Sequence, residues 1–201
     1  NSQDAFQKWR KIPFEERQKY FTQLSEILNN RKQEFATIIT QEMNKPISQS
    51  VSEIEKCAAL CDYYAAAKNI LKTEQVETEF QISEIHHEPL GVILGVMPWN
   101  FPFWQAIRFA VPTILAGNVI VLKHASICEK SGETMQEIFE KAGFPKGIFT
   151  FLKVSHTEVE KMISHPIIRG VSLKGSVACG RKIAEAAGKN LKKCVLELGG
   201  S

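Results

Sequence analysis

The sequence lacks the features that mark several large classes of protein. None of its apolar runs is long enough to span a membrane, and its amino terminus has no signal-peptide pattern. Its net charge of +3 is spread along the chain, and no basic block is interleaved with aromatic residues. We therefore expect a cytoplasmic protein that interacts with neither membranes nor nucleic acid.

Cysteine is present, but not in the pattern of a disulfide framework. The cysteines are Cys57, Cys61, Cys128, Cys179 and Cys194. Their odd number fits a reducing compartment better than a secreted, disulfide-stabilised fold. Cys57 and Cys61 share one face of a predicted helix, but no second ligand pair lies nearby, which favours core packing. We predict no metal centre.

Internal repeats, low-complexity tracts and the G-x-G-x-x-G fingerprint of dinucleotide-binding folds are also absent. The composition is that of an ordinary globular protein, with 44% hydrophobic and 23% charged residues. That proportion is enough for a sizeable core. The length of 201 residues fits one large domain, or one domain with an appendage.

The amino-terminal third has the apolar periodicity of amphipathic helices. We predict helices over 4–30, interrupted at Pro13, over 31–43 and over 48–71. Ser52 and Glu55 have the spacing of a capping box. The inner positions of the first helices are predicted to be Phe6, Trp9, Phe21, Leu24, Leu28, Phe35, Ile38 and Ile39.

Residues 74–88 change to an alternating pattern, in which apolar residues recur near every second position. This predicts a half-exposed strand or hairpin, whose free edge seeks a partner. From Gly91 onward, strands alternate with helices. The predicted strands cover 92–96, 119–123, 148–154, 170–173 and 191–198. Repeated units of this size predict an α/β fold with a doubly wound, parallel, five-stranded sheet.

The stretch from Gly91 to Pro102 is the centre of this pattern. It begins as a strand that is apolar on both faces and therefore buried on both. Pro98 and Pro102 then enclose a stiff apolar loop that carries Asn100, at the edge where open α/β sheets bind ligands. In a dry site, such an amide can donate to a developing oxyanion, or it can merely satisfy the backbone of the turn.

Three further sites follow later strands. Lys123 ends the second strand and is either a solvated strand end or a ligand for ribose or phosphate. Gly175 and Ser176 begin a helix, with an N-cap or a pyrophosphate site as alternatives. Glu197 has apolar neighbours and suits a general base, although a salt bridge at the strand end is the alternative.

These motifs, in this order, resemble the aldehyde dehydrogenase superfamily. The resemblance rests on Pro-Trp-Asn-Phe-Pro at 98–102, Gly-Ser-x-x-x-Gly at 175–180 and Leu-Glu-Leu-Gly-Gly at 196–200. It implies that Asn100 forms the oxyanion site and that Glu197 activates the water that hydrolyses a thioester. It also implies cofactor-binding roles for Met97, Pro98, Trp99, Asn100, Lys123, Ala125, Ser126, Gly175, Ser176, Leu198 and Gly199.

The resemblance also carries departures. NAD-preferring members often have Glu where this chain has Ser126, and a serine leaves room for a 2′-phosphate, so we predict NADP over NAD. Leu173-Lys174 replaces the usual Phe-Thr, and the added cation either favours phosphate or alters the cofactor pocket. His124 replaces the usual Pro. The family's nucleophilic Cys lies about thirty residues beyond the Leu-Glu-Leu-Gly-Gly motif, which is after Ser201, so none of the five cysteines takes its place.

The resemblance therefore implies the cofactor-binding part of an NAD(P)-dependent aldehyde dehydrogenase, a family whose members are about twice as long. It divides the chain into a helical part (1–73), a β-ribbon arm for homodimer or homotetramer formation (74–88) and a Rossmann-like part (89–201). The expected substrate is a small aldehyde, with succinate semialdehyde the nearest match. The alternatives are an inactive nucleotide-binding or interaction module, and an acyl-phosphate reductase relative, which would not need Glu197.

Overall fold

A computed structural model of the chain describes residues 1–68 and 70–199. The α-helices in this part are α1 (Ser2–Trp9), α2 (Phe14–Asn30), α3 (Lys32–Met43), α4 (Ile47–Ala66), α5 (Pro102–Leu115), α6 (Glu129–Lys141), α7 (His156–Ser164) and α8 (Val177–Lys189). The strands are β1 (Glu74–Gln75), β2 (Glu84–Ile85), β3 (Val92–Met97), β4 (Val119–His124), β5 (Phe149–Phe151), β6 (Ile168–Gly175) and β7 (Lys193–Leu198). No helix in these ranges is long and apolar enough to cross a membrane.

The last five of these strands form one parallel sheet in the order β5-β4-β3-β6-β7. Strand β3 is central and buried along its whole length, because a strand lies on each side of it and helices cover both faces. The chain winds outward from β3 through β4 to β5, then returns to the other side of β3 with β6 and β7. The predicted doubly wound parallel sheet of five strands is confirmed.

Helices cover both faces of the sheet, and two side chains of β7 show which helix lies on which face. Leu198 packs against α8, where a Cβ added to Gly180 would lie 2.6 Å from its Cδ2 atom. The preceding residue, Glu197, contacts Arg108 of α5 instead. Because successive side chains of a strand point to opposite faces, α5 and α8 lie on opposite sides of the sheet. This is the arrangement that right-handed crossovers produce when the winding direction reverses.

The amino-terminal helices hold the end of α5 in place. The indole nitrogen of Trp9 donates to the carbonyl of Ile114 at 2.8 Å, and the Nε of Arg17 donates to the carbonyl of Leu115 at the same distance. The last carbonyls of a helix lack the usual partner one turn further on. The Arg17 bond satisfies the carbonyl of Leu115, and the Trp9 bond adds a second donor to the carbonyl of Ile114, which also accepts the N–H of Gly117 at 2.9 Å. Burial lowers the pKa of Arg17, but the guanidinium keeps its charge at any physiological pH.

The helix boundaries follow the sequence pattern with two corrections. Helix α4 ends at Ala66 rather than at residue 71, and Asn69, which the prediction included, lies outside the described residues. The predicted capping box is wrong: Ser52 lies inside α4 and its hydroxyl donates to the carbonyl of Ser48. The helix begins directly after Pro46, whose fixed φ favours a helix start, and no side-chain cap forms there.

The segment predicted as a strand or hairpin forms only a short antiparallel ribbon of β1 and β2. Its apolar side chains are exposed rather than half-buried; Phe80 and Ile82 retain 71% and 75% of their accessible surface. Nothing in the described part of the chain packs over them. The division of the chain at residues 73 and 88 stays a prediction.

Strand β7 is an edge of the sheet in the described part of the chain, and its side chains are largely open to solvent on both faces. Val195, Leu196 and Leu198 are exposed hydrophobic residues. At the opposite edge, β5 is shorter than predicted, with three paired residues, Phe149–Phe151, instead of the expected 148–154. The sheet is therefore densely covered at its centre and open along β7.

Candidate active site and cofactor site

The loops that follow β3, β6 and β7 meet at the carboxyl edge of the sheet. They enclose an open cavity of about 420 Å³ between the two halves of the winding. Of the predicted site residues, the ones that line it are Pro98, Trp99, Asn100, Gly175, Ser176, Glu197, Leu198 and Gly199. Residues that the sequence places a hundred positions apart are thus brought to one crevice, where parallel sheets of this topology bind ligands.

The remaining predicted residues follow β4, the next strand along the same edge. Lys123 and His124 are paired in register with Val96 and Met97 of β3, so this group lies beside the Asn100 loop. Lys123 is buried, which lowers its pKa, and it does not line the cavity itself. Ser126 is exposed at the start of a 3-10 helix, where it is open to a ligand. Met97 is buried in β3, and Ala125 is half-buried.

Ser176 is the N-cap of α8, and its hydroxyl accepts the backbone N–H of Cys179 at 3.2 Å. Ser176 therefore acts as an N-cap, the first of the two roles considered for it. Because its oxygen accepts in this bond, its hydroxyl hydrogen stays available to donate to a ligand. The approach to this helix start is open, because a Cβ added to Gly175 would meet only the Cδ1 of Leu173, at 3.7 Å. An anion can therefore reach the first-turn amides of α8, which carry the positive end of its dipole.

Asn100 differs from the sequence prediction in its surroundings. The prediction placed its amide in a dry, apolar site, but in the structure Asn100 is exposed, as are the flanking Trp99 and Phe101. The backbone around it is nevertheless anchored, since the carbonyl of Trp99 accepts from the Cys128 thiol at 3.8 Å. The loop is therefore held in place while the amide faces open solvent.

Glu197 had two alternatives, a general base among apolar neighbours or a salt bridge at the strand end. In the structure Glu197 is 42% exposed and forms two ion pairs. One oxygen lies 2.9 Å from Nη2 of Arg108, and the other lies 3.4 Å from Nζ of Lys174. The salt-bridge alternative thus describes the resting geometry. It arises because β6 and β7 place Lys174 and Glu197 directly opposite each other in register.

Lys174 is unusual because its side chain is only 4% exposed. Burial lowers its pKa, while the attraction of Glu197 opposes that change. A buried ammonium needs a counter-ion, and Glu197 supplies it. The ammonium that the sequence offered as a phosphate ligand is therefore already paired with the carboxylate of the proposed base.

The sequence did not single out two further residues, Gln105 in the cavity and Arg108 in the groove beside it. Gln105 and Arg108 lie three positions apart on α5, so they share one face of the helix. Both are long polar side chains in a predominantly apolar helix, which is the signal that could have identified them. Within the described ranges, Gln105 Oε1 is the one buried side-chain nitrogen or oxygen atom without a hydrogen bond. It lines the cavity and is an acceptor open to a ligand or a water molecule.

The cysteines and the other possible metal ligands give no sign of a metal centre. Cys57 and Cys61 are buried in α4, as predicted, and burial raises the pKa of both thiols. Burial likewise raises the pKa of Cys128, to about 12. No group of three or more His, Cys, Asp or Glu residues suited to a metal occurs within residues 1–68 and 70–199. Thiols of this kind serve packing rather than nucleophilic chemistry.

Comparison with known proteins agrees with this geometry. The sequence model of the aldehyde dehydrogenase family matches residues 1–201. The chain belongs to the aldehyde dehydrogenase family. It is 44% identical over 201 residues to a probable NADP⁺ succinate-semialdehyde dehydrogenase of Synechocystis sp. and 43% identical over 198 residues to an NAD(P)⁺ succinate semialdehyde dehydrogenase of Escherichia coli.

A solved relative shows the same fold. The chain superposes on succinic semialdehyde dehydrogenase from Streptococcus pyogenes, crystallised with NADP⁺, with a TM-score of 0.96 at 40% identity. The match covers 99% of this chain but 44% of that one. Likewise, this aldehyde dehydrogenase chain spans 44% of the Synechocystis relative and 43% of the Escherichia coli relative. It corresponds to less than half the length of these enzymes.

His124 connects the two groups of site residues in this aldehyde dehydrogenase chain. Its Nδ1 accepts the N–H of Ala125 at 2.8 Å, which leaves Nε2 to donate to the carbonyl of Pro102 at 2.9 Å. The Nδ1 bond requires the neutral imidazole, because a protonated Nδ1 cannot accept, whereas Nε2 donates in either state. Burial lowers the pKa of His124 to about 4, with a further contribution from the positive charge of Lys123. A Pro at this position would have no side-chain donor for the Asn100 loop.

This pKa gives a testable pH dependence. Between pH 6.5 and about 4 the unfolded chain binds a proton at His124 that the folded chain does not. The free energy of unfolding should therefore fall as the pH is lowered through that window, by at most about 3 kcal/mol from this group. Urea unfolding of the wild type and of His124→Gln over this range measures the difference. The control is His156→Gln at an exposed position; equal slopes in all three proteins would contradict the prediction.

Proposed function

We propose that the complete protein oxidises an aldehyde to its carboxylate with NAD(P), and that this chain supplies its cofactor-binding part. The observation that carries the proposal is the cavity in which Asn100, Glu197 and the Gly175–Ser176 helix start lie together. An amide donor, a carboxylate base and an anion-binding helix start are three of the groups this reaction requires, the fourth being the nucleophilic thiol. Similarity to the succinate-semialdehyde dehydrogenases supports it.

The residues present fit a dinucleotide. Their groups are donors or cations: the Lys123 ammonium, the Ser176 hydroxyl and the first-turn amides of α8. All of these attract the phosphates and ribose hydroxyls of such a molecule. A Cβ added to Gly199 would meet no atom within 4 Å, so the backbone there is open to close approach. When bound, the cofactor supplies the acceptor for the hydride that leaves the substrate.

The chain's own residues would act on the carbonyl and on water. Asn100 would donate its N–H to the oxygen that becomes negative when the aldehyde is attacked. Glu197 would take a proton from the water that releases the acid. Each oxygen of Glu197 has one cationic partner and the side chain is 42% exposed, so a lone pair is left for contact with that water.

The cations around Glu197 also suit an acidic aldehyde. The side chain of Arg108 is 44% exposed and lines a groove of about 430 Å³ that adjoins the cavity and shares Lys174 and Glu197 with it. A guanidinium binds a carboxylate through two parallel hydrogen bonds. We therefore assign succinate semialdehyde, which carries one carboxylate, as the substrate, with Arg108 as its anchor.

The exposed ribbon and the free thiols support two further parts of the proposal. The apolar side chains of the β1–β2 ribbon would be covered by another copy of the complete protein, in a homodimer or homotetramer. All five cysteines are free, which fits the reducing cytoplasm.

The first prediction concerns the 201-residue chain by itself. We expect no aldehyde oxidation, because the family's nucleophile is expected beyond residue 201 and Cys57, Cys61 and Cys128 are buried. Formation of reduced cofactor is measured with a panel of aldehydes, with the complete protein as the positive control. Turnover by the chain that is lost on changing one cysteine to serine would show that the nucleophile lies within it. Turnover that survives the change of all five would contradict the thiol mechanism itself.

The second prediction concerns Glu197→Gln in the complete enzyme. A glutamine cannot accept a proton from water, so release of the acid should slow by about 10²–10⁴-fold while the first hydride transfer stays fast. Stopped-flow absorbance should show a burst of reduced cofactor followed by slow turnover. Glu185→Gln, at an exposed ion pair on α8, is the control and should leave both phases unchanged. A variant that loses the burst would assign Glu197 a different role.

The third prediction concerns the choice of cofactor. Ser126→Glu places a carboxylate where the 2′-phosphate of NADP is expected, and like charges in a confined site repel strongly. The ratio of kcat/KM for NADP to that for NAD should fall by about tenfold or more, chiefly through weaker NADP binding. Ser164→Glu adds the same charge at an exposed position away from the cavity. A wild type that prefers NAD, with an unchanged ratio in Ser126→Glu, would remove Ser126 from the cofactor site.

A further inference from the structure

Helix α4 carries a buried carboxylate that the proposed chemistry does not use. The side chain of Glu53 is 1% exposed, and one of its oxygens pairs with Nζ of Lys45 at 2.5 Å. The other oxygen accepts the backbone N–H groups of Phe103 and Trp104, each at 2.9 Å. Burial of a charge is costly unless partners of this kind compensate it, so this full set of partners indicates a specific structural task.

The two amides belong to the first turn of α5. A helix start exposes N–H groups without intrahelical partners, and the residue before the helix normally covers one of them with a side-chain oxygen. Here that residue is Phe101, which has no side-chain oxygen, and no side-chain cap forms. Glu53 supplies the missing acceptor from a different helix. Its negative charge also lies at the positive end of the α5 dipole.

Lys45, the counter-ion of Glu53, contacts the loop that carries Asn100. Lys45 lies between Asn44, which ends α3 in the left-handed conformation at φ 56°, and Pro46, after which α4 begins. These two residues direct the Lys45 side chain into the protein, where it is 6% exposed. Its ammonium lies 3.7 Å from the centre of the Phe101 ring. The pair therefore contacts the residue directly after Asn100 and the helix that follows it.

We propose that Glu53 is a positioning residue for Asn100, with Lys45 as its counter-ion. Glu53 fixes the carboxyl side of the loop to α4, while the Cys128 thiol and His124 hold the carbonyls of Trp99 and Pro102. The Asn100 side chain itself is exposed. Its direction toward a substrate oxygen therefore depends on the backbone that these bonds hold. This inference rests on the oxyanion role of Asn100 in the proposed function.

Two double substitutions in the complete enzyme isolate the hydrogen bonds to α5. K45M/E53Q removes both charges but keeps an oxygen for the Phe103 and Trp104 amides, whereas K45M/E53M removes the oxygen as well. Neither leaves an unpaired buried charge. The rate of the hydride burst should fall by about 10–100-fold in K45M/E53M relative to K45M/E53Q, because small displacements of a catalytic group are costly. The KM for the aldehyde should change by less than about threefold, since the loss lies in the transition state.

The two double variants, K45M/E53Q and K45M/E53M, are then compared again in an Asn100→Ala background. Asn100→Ala alone should slow the burst by about 10²–10³-fold. If Glu53 acts through Asn100, the difference between the two double substitutions should shrink to less than about threefold once the amide is gone. K32M/E55M, which removes an exposed ion pair between α3 and α4, should change nothing in either background.

Each outcome separates the two proposals. A difference that persists unchanged in the Asn100→Ala background would overturn the positioning role while leaving the oxyanion role of Asn100 intact. An Asn100→Ala enzyme with a normal burst would overturn the oxyanion role, and the positioning role with it. If K45M/E53M does not fold, Glu53→Asp carries the same comparison, because it keeps the charge pair but shortens the carboxylate by one methylene and withdraws it from α5.

Discussion

The structure depends on the burial of β3 between two strands and two layers of helices. Because the chain winds from this strand first to one side and then to the other, the loops after β3 and β6 diverge and leave a crevice at the carboxyl edge. The site residues at 97–100 end the central strand, those at 123–126 end the strand on one side, and those at 175–176 and 197–199 end the strands on the other. The parallel alignment of the sheet thus decides which residues can meet, before any hydrogen bond at the site is considered.

The fold could be predicted almost completely because its signals are local. The spacing of Phe21, Leu24 and Leu28 marks the inner face of a helix, and these side chains are fully buried. The unbroken apolar run at 92–94 marks a strand covered on both faces. The errors occurred where the local signal is weak: the end of α4, the length of β5, and a capping box assigned from spacing although Pro46 already begins that helix.

The site could be predicted only in part, because its electrostatics depend on contacts between distant segments. The sequence places Glu197 among apolar neighbours, but it does not show that α5 directs Arg108 to the same point or that the sheet register sets Lys174 opposite. The exposure of Asn100 was missed for the same reason, since the flanking prolines and aromatic residues suggest a dry loop although Trp99 and Phe101 are themselves exposed. Which residues meet follows from topology, whereas how they are paired does not.

The open edge at β7 has a consequence for handling this chain. A strand with one unpaired side and exposed Val195, Leu196 and Leu198 offers a template for another strand. Lys193, at the beginning of the strand, is a charged residue of the kind that discourages such pairing, whereas the charge of Glu197 near the end is held in ion pairs with Arg108 and Lys174. The carboxyl-terminal half of β7, which leads to Glu197 and Gly199, has no free charged side chain that would oppose pairing. Self-association of the isolated chain would therefore begin beside the site and would obscure it. Concentration and ionic strength are therefore experimental variables in any ligand-binding measurement on this chain.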